Sequence, residues 1–388
     1  AGPYSSYTCI GDNPFCEWRP QRRSYLVINL QDWMSVVLLL CMIAGCASAG
    51  ADDNWFPYPV EVWDPSFDQS SSREQHEYVP LDSATKAWRI AVSFPHMKDA
   101  YWLAVNYGVV DEARRLGIGI DLVQAGGYEH LDRQIEQIRQ QAVAGVDGVI
   151  VGAISYTGLD SVVGELAAAG IPVVDAVNGM RSAQLQAKSL VSFGEMGGLA
   201  GQYLAERHPA GTDTARVAWF PGPEGAGWVV AGNEGFRQAV DGSAIDVVAT
   251  RFGDTGRKPQ EILIKGILDA HEDIDYIVGT AVTAEAAVTI LRKRGLTEQV
   301  KVLAYYLTPG VYRGIRRGRI LASPTDSAVI QGRIAVDQLV RILEGEPVLR
   351  HVGPRLQIID KQNIDGFDQG TSIAPSGFRP TYTVTGVQ

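Results

Sequence analysis

The sequence predicts an α/β protein made of two doubly wound parallel-sheet lobes joined by a hinge. Three observations carry that expectation. From residue 88 onward, short apolar runs of strand length alternate with stretches of helical spacing. That alternation runs through one complete set and then repeats. The chain, at 388 residues and 46% hydrophobic content, holds more core material than one such layer needs.

The first set opens with the apolar run Arg89–Phe94. Leu103, Tyr107, Val110 and Ala113 then recur at helical spacing up to Gly117, which stops the helix. Ile118, Ile120 and Leu122 alternate as a strand, ended by Gly126 and Gly127. Residues 132–144 are helical through Ile135, Ile138 and Ala142. Residues 146–153 read as a buried strand, 159–169 as a helix and 171–177 as a strand. Strands separated by helices of this length imply a parallel sheet covered on both faces.

The second set places helices at 197–207, 232–240, 259–270 and 284–294, with strands at 217–220, 245–250, 276–280 and 300–306. A helix over 328–343 and a strand near 356–359 complete the pattern. The expected division is a first lobe of 87–180 with 327–354 and a second lobe of 181–326 with 355–388. Ligands of open parallel sheets bind beyond the carboxyl ends of the strands, so two facing lobes make a cleft there. Hinge closure around a ligand follows.

The segment before residue 87 reads differently. Val36–Ala44 is a short apolar run followed by Gly45, Cys46 and small residues, the pattern of a signal-peptide core and not of a membrane span. Cleavage after Ala49 leaves a soluble product, whereas Ile43–Cys46 resembles a lipobox and would leave Cys46 lipidated; both readings stand. Residues 1–49 are therefore expected to be a signal peptide, with residues 1–33, which match neither fold nor typical leader, read as an over-long start of the gene, and the chain is expected to reach the periplasm. All four cysteines lie in this region, so the mature part is expected to lack disulfides and thiolate metal sites. Residues 50–86, with Trp55, Phe56, Tyr58, Trp63, Phe67 and Tyr78 among Asp, Ser and Pro, are expected to form an irregular arm packed on a surface.

A net charge of −10 without a basic stripe argues against nucleic acid as a partner. The run Arg313, Arg316, Arg317 and Arg319 reads as a solvated helix end. No HExxH, GxSxG or Walker loop occurs, and the six histidines are scattered, so no catalytic residue, metal or cofactor is expected. Gly222–Gly227 lacks the Lys-Ser or Lys-Thr of a phosphate cradle and reads as a tight strand-to-helix loop. The segments after the strands are aromatic instead: Tyr101 and Trp102 beside Asp99, then Tyr128, Tyr156, Phe193, Tyr305 and Tyr306. Each alone could plug its own lobe. Converging on one cleft mouth, their faces would hold a cationic methylated nitrogen at about 0.5–2 kcal/mol per desolvated contact. Asp99 would add a compensating charge.

On these residues the chain resembles the type I periplasmic binding proteins of the ribose-binding class. Lys98–Trp102, Ala125–Tyr128, Pro221–Pro223, Gly279–Ala281, Val311–Gly314 with Arg317–Arg319, and Ser376–Pro380 carry the likeness. Within that class they are similar to its trimethylamine-N-oxide sensors, which partner a membrane sensor histidine kinase. The sugar-binding pattern is broken at Val177-Asn178, where sugar binders carry Asp-Arg, and at Tyr306, where they carry Asp. The resemblance implies a cage of Tyr101, Trp102, Tyr128 and Tyr306 or Tyr305, with Asp99 beside it and Phe193 where the sensors carry Trp. It implies that tyrosine hydroxyls or a backbone N–H receive the N-oxide oxygen. A sugar-type importer's binding protein shares the fold and is the alternative; an enzyme using the same cleft is a third class.

Overall fold

The computed structural model describes residues 54–387 apart from Gln69. The segment expected to be a leader, its two cleavage readings and the four cysteines lie outside the described residues.

The first lobe is built on a nine-stranded sheet. Its middle strands, β3 (Arg89–Phe94), β4 (Gly119–Gln124), β5 (Gly148–Val151), β6 (Val173–Ala176), β7 (Ala187–Ser189) and β13 (His351–Pro354), run parallel in the order β4-β3-β5-β6-β7-β13. Strands β3, β5 and β6 are buried almost throughout, which is why they read as continuous apolar runs without alternation. Helices α1 (Ala100–Leu116), α2 (Leu131–Val143), α3 (Asp160–Ala168) and α9 (Ala328–Glu344) complete the lobe. α1 and α9 touch backbone to backbone: a Cβ on Gly108 would lie 2.0 Å from the carbonyl oxygen of Val329.

The second lobe carries the parallel sheet β11-β10-β8-β9, from β8 (Ala215–Phe220), β9 (Ile245–Thr250), β10 (Tyr276–Gly279) and β11 (Lys301–Ala304). Around it lie α4 (Phe193–Ala205), α5 (Gly227–Val240), α6 (Arg257–Ala270), α7 (Ala281–Arg294) and α8 (Pro309–Arg316). A ribbon of β12 (Ala322–Thr325) and β14 (Gln357–Asp360) links this lobe to the hinge.

Three expectations change. Residues 58–78 are not irregular. They form an antiparallel hairpin, β1 (Tyr58–Asp64) and β2 (Ser72–Tyr78), which adds to β13 and extends the large sheet. Pro57, Pro59 and Pro65 hide the alternation of β1. β2 is an exposed polar edge strand, ordered by its backbone ladder more than by an apolar face. The arm's aromatics pin it: Trp63 stacks on His351 at 4.1 Å, and the Tyr78 hydroxyl donates to Asp337 at 2.6 Å.

The first crossing to the second lobe falls after Ser189 and not near residue 181, because β7 pairs with β6 and β13. Its three residues include Lys188, buried against Asp175 at 3.6 Å, so the strand has no apolar run to read. The tail also departs from the expected division. β15 (Thr383–Val384) pairs with β4 of the first lobe, and Asn106 exchanges two 2.9 Å hydrogen bonds with the backbone of Thr381. The arginine run falls at α8 and its end, where Arg313, Arg316, Arg317 and Arg319 are exposed.

Candidate functional site

The first-lobe wall begins where β3 ends. Asp99 caps α1, its Oδ1 accepting from the backbone N–H of Trp102 at 3.1 Å. That cap sets Tyr101 and Trp102 in the first helical turn, facing the second lobe. The Trp102 ring packs on Phe94 at 4.6 Å and over Gly152, where a Cβ would lie 2.5 Å from the indole Cη2. After β4 the chain turns at Gly126, with φ +103°, and delivers Tyr128. Asn178, just beyond β6, donates to the Tyr128 hydroxyl at 2.9 Å and to the carbonyl of Ala153 at 2.7 Å.

The opposite wall comes from α4 and α5. A Cβ on Gly197 would lie 2.0 Å from the carbonyl oxygen of Gly232, and one on Gly235 1.8 Å from that of Gly194. The two helices therefore meet backbone to backbone, which brings Phe193 at the start of α4 within 6.2 Å of Trp228 at the start of α5. Met196, Thr255 after β9 and Tyr306 after β11 complete the wall.

Of the residues singled out from the sequence, Asp99, Tyr101, Trp102, Tyr128, Phe193 and Tyr306 line one hollow between the lobes, with about 20 Å³ of free space. That is room for about one water, far below the roughly 300–1,000 Å³ of open small-molecule sites, so the rings nearly close on one another. The rings meet across it. Tyr101 and Tyr306 approach edge to face at 5.0 Å, Trp228 and Tyr306 at 6.2 Å, and Tyr128 lies 6.3 Å from Trp228.

Tyr305 does not line the hollow. It lies one layer behind, fully buried, stacked on Trp228 at 6.0 Å, because consecutive residues leaving a strand point to opposite sides. Tyr156 is 39% exposed and also stands apart. Asn178, Met196, Trp228 and Thr255 were not read as site residues. Trp228 had a usable signal: it closes a post-strand loop, as Tyr101 and Tyr128 do, but the glycines before it drew attention to phosphate chemistry. Met196 had none beyond one turn of spacing from Phe193.

Burial sets the electrostatics. It pushes the Asp99 carboxyl up to about 6, against the pull of the backbone N–H groups of Trp102 and Tyr101 and the charge of Lys98. It holds His96 down at about 3, helped by Lys98, so that imidazole is neutral. The tyrosine hydroxyls are held neutral for the same reason, with pKa values above the ordinary tyrosine range. The Tyr101 hydroxyl is already committed as a donor to Asp326. Over the hollow the lobes are fastened by Lys98 to Asp254 at 2.7 Å and by His96 to Thr255 at 3.1 Å. Arg73 of the hairpin also reaches Glu195 of α4.

The chain is similar to known proteins over most of its length. A periplasmic binding protein domain model matches residues 90–347. Periplasmic protein TorT of Escherichia coli K12 is 35% identical over 301 residues, covering 77% of this chain and 85% of TorT. Among solved structures, an ABC transporter solute binding protein from Bradyrhizobium sp. BTAi1 with bound bis-tris is 53% identical. Its TM-score is 0.75, covering 85% of this chain and 99% of that one. The complex of the TorS sensor domain with TorT, solved in the absence of ligand and in the presence of TMAO, gives 33% identity and a TM-score of 0.70. It covers 76% of this chain and 99% of the matched chain.

Proposed function

Because this chain belongs to the periplasmic binding protein family, on its TorT-like branch, we propose that it is a periplasmic receptor for trimethylamine N-oxide or a closely related methylated amine. The ligand is enclosed in an aromatic cage, and closure of the lobes is reported to a membrane sensor histidine kinase.

One observation carries the ligand class: ring faces from both lobes, Tyr101, Trp102 and Tyr128 from one and Phe193, Trp228 and Tyr306 from the other, surround a single small hollow. Aromatic faces attract a desolvated cation, and several together suit a methylated nitrogen better than a polyol, which needs planar bidentate polar groups. Asp99 is the one carboxylate on the wall. A cation beside it would favour its ionised form and draw its pKa below about 6. The kinase partner is carried over from the TorS–TorT complex, whose TorT component this chain matches over nearly all of its length.

The Bradyrhizobium relative supports a second reading, delivery of the solute to an importer. Its bound bis-tris joins a tertiary amine to several hydroxyls, so this reading changes the destination and leaves the choice between amine and polyol to experiment. Calorimetry with trimethylamine N-oxide, choline, betaine, bis-tris and ribose tests the ligand class. Binding of ribose with no response to any amine would overturn it. Co-elution with a TorS-type sensor domain, against stimulation of a reconstituted permease, separates the two destinations.

A further inference from the structure

Trp228 is only 5% exposed, and its indole N–H has no hydrogen-bond partner among the described residues. A buried donor without an acceptor is uncommon enough to need an explanation. Slack in the ring is not one. Trp228 lies flat on Tyr305, 6.0 Å between centroids and 17° between planes. At its far edge Gly222, at φ +126°, leaves room that a Cβ would remove, falling 2.5 Å from the indole Cη2. The Tyr305 hydroxyl stands 3.3 Å from the carbonyls of both Phe193 and Trp228, tying the ring's backbone to α4.

The N–H is thus held in a fixed direction at the wall of the hollow. It lies beside the Tyr128 hydroxyl, near enough to act on it as a hydrogen-bond donor would, but without the geometry of a formed hydrogen bond. The Tyr128 oxygen already accepts from Asn178, which leaves its own hydrogen to donate. Two donors therefore converge on one corner of a wall that otherwise carries ring faces, Met196, Asn178, Thr255 and the Asp99 carboxyl.

We propose that Trp228 is the specificity-determining donor of this site: its indole N–H, with the Tyr128 hydroxyl, binds an oxygen carried on the ligand's nitrogen. The site then selects small methylated amine oxides over ammonium ions of the same size that carry no acceptor. A polar group built to meet an oxygen rejects the analogue that lacks it, because its donor is left buried and unpaired. This rests on the methylated-amine reading above.

The test compares trimethylamine N-oxide with tetramethylammonium, in which a methyl replaces the oxygen, by calorimetry on the wild-type protein and on Trp228→Phe. Phenylalanine keeps a ring face and removes the N–H. The wild type is expected to prefer the N-oxide, and Trp228→Phe to lower the ratio of the two affinities about tenfold. If both affinities fall together and the ratio holds, Trp228 is a packing residue; the inference fails and the cage reading stands. If the wild type binds neither compound, the ligand class itself is wrong. A measurement on the unmutated protein covers a variant that does not fold. The Trp228 indole proton resonance should move downfield with the N-oxide and not with tetramethylammonium; an equal response to both would overturn the proposal.

Discussion

The hydroxyl of Tyr101 donates to the carboxylate of Asp326, joining a ring of the cage to the point where the chain recrosses from β12 to α9. Asp326 is fully buried and also accepts from Gln331 Nε2 at 2.7 Å. The next residue, Ser327, takes a left-handed conformation at φ +53°, and its hydroxyl meets that of Tyr58 from the hairpin at 3.0 Å. In the proposed cage, a ligand resting on Tyr101 would press on a residue wired to the hinge. There Tyr101 would offer its face to the ligand, while its hydroxyl is taken up by the crossing, which would leave oxygen recognition to other donors.

Tyr101→Phe separates these two roles. The ring face remains, so affinity is expected to change by only a few-fold. The buried carboxylate of Asp326 loses a donor, at a cost of about 1–3 kcal/mol in unfolding free energy. Denaturant unfolding beside calorimetry checks this, and an unchanged midpoint would sink the coupling.

Asp99 makes binding depend on pH. Its folded pKa is raised from 3.8 to about 6 by burial, so the stability it contributes is greatest in acid and is lost as pH rises through about 6. A permanent cation such as tetramethylammonium favours the carboxylate and reverses that loss. Its affinity is expected to rise with pH up to about 6 and then level off, with proton release on binding. His96, 4.0 Å from Asp99 and held at about 3, stays neutral over this range. Asp99→Asn should flatten the profile in calorimetric titrations at several pH values.

Gly152→Ala tests the seating of Trp102. The new methyl would lie 2.5 Å from Cη2 and 2.8 Å from Cζ3 of that indole, so the ring must shift. Affinity is expected to fall about tenfold or more, approaching the loss in Trp102→Ala, where the ring face is gone altogether. Retained affinity in both variants would mean that Trp102 does not face the ligand.

Lys98→Ala weakens the clasp over the cleft. The pair with Asp254 is partly exposed, so it is worth about 0–1 kcal/mol, a loss of up to about fivefold in affinity through a smaller closed population. The effect should shrink at high salt, and the charge swap Lys98→Asp with Asp254→Lys should recover part of it. Small-angle scattering of the free and bound forms follows the closure directly.

The lobes were legible because buried parallel strands announce themselves as apolar runs between helices, as Arg89–Phe94 and 146–153 do. The strands that escaped notice have other sources of order. β7 is held by its neighbours' ladders and a buried Lys188–Asp175 pair, β2 by an edge ladder anchored through Tyr78 and Arg73, and β15 by a two-residue pairing with Ile120 and Asp121. In the site, residues on strand-to-helix loops could be found by position, as Tyr101 and Tyr128 were. Trp228 was screened by a glycine loop that also suits another chemistry. The choice between Tyr305 and Tyr306 depends on which way a strand's last side chain points, and both carry the same ring. Asp326 sits at a crossing with no local pattern of its own.

The tail has a practical corollary. Having left the ribbon of β12 and β14, the polypeptide lies along α1, Phe378 against Tyr107 at 5.1 Å, and brings the Val387 N–H to the carbonyl of Gly117 at 3.0 Å. A dye attached near Val387 would thus travel with the half of the molecule that holds Trp102. Paired with a second dye on α6, it would turn the solute-driven movement into a change in energy transfer without a label touching the cage.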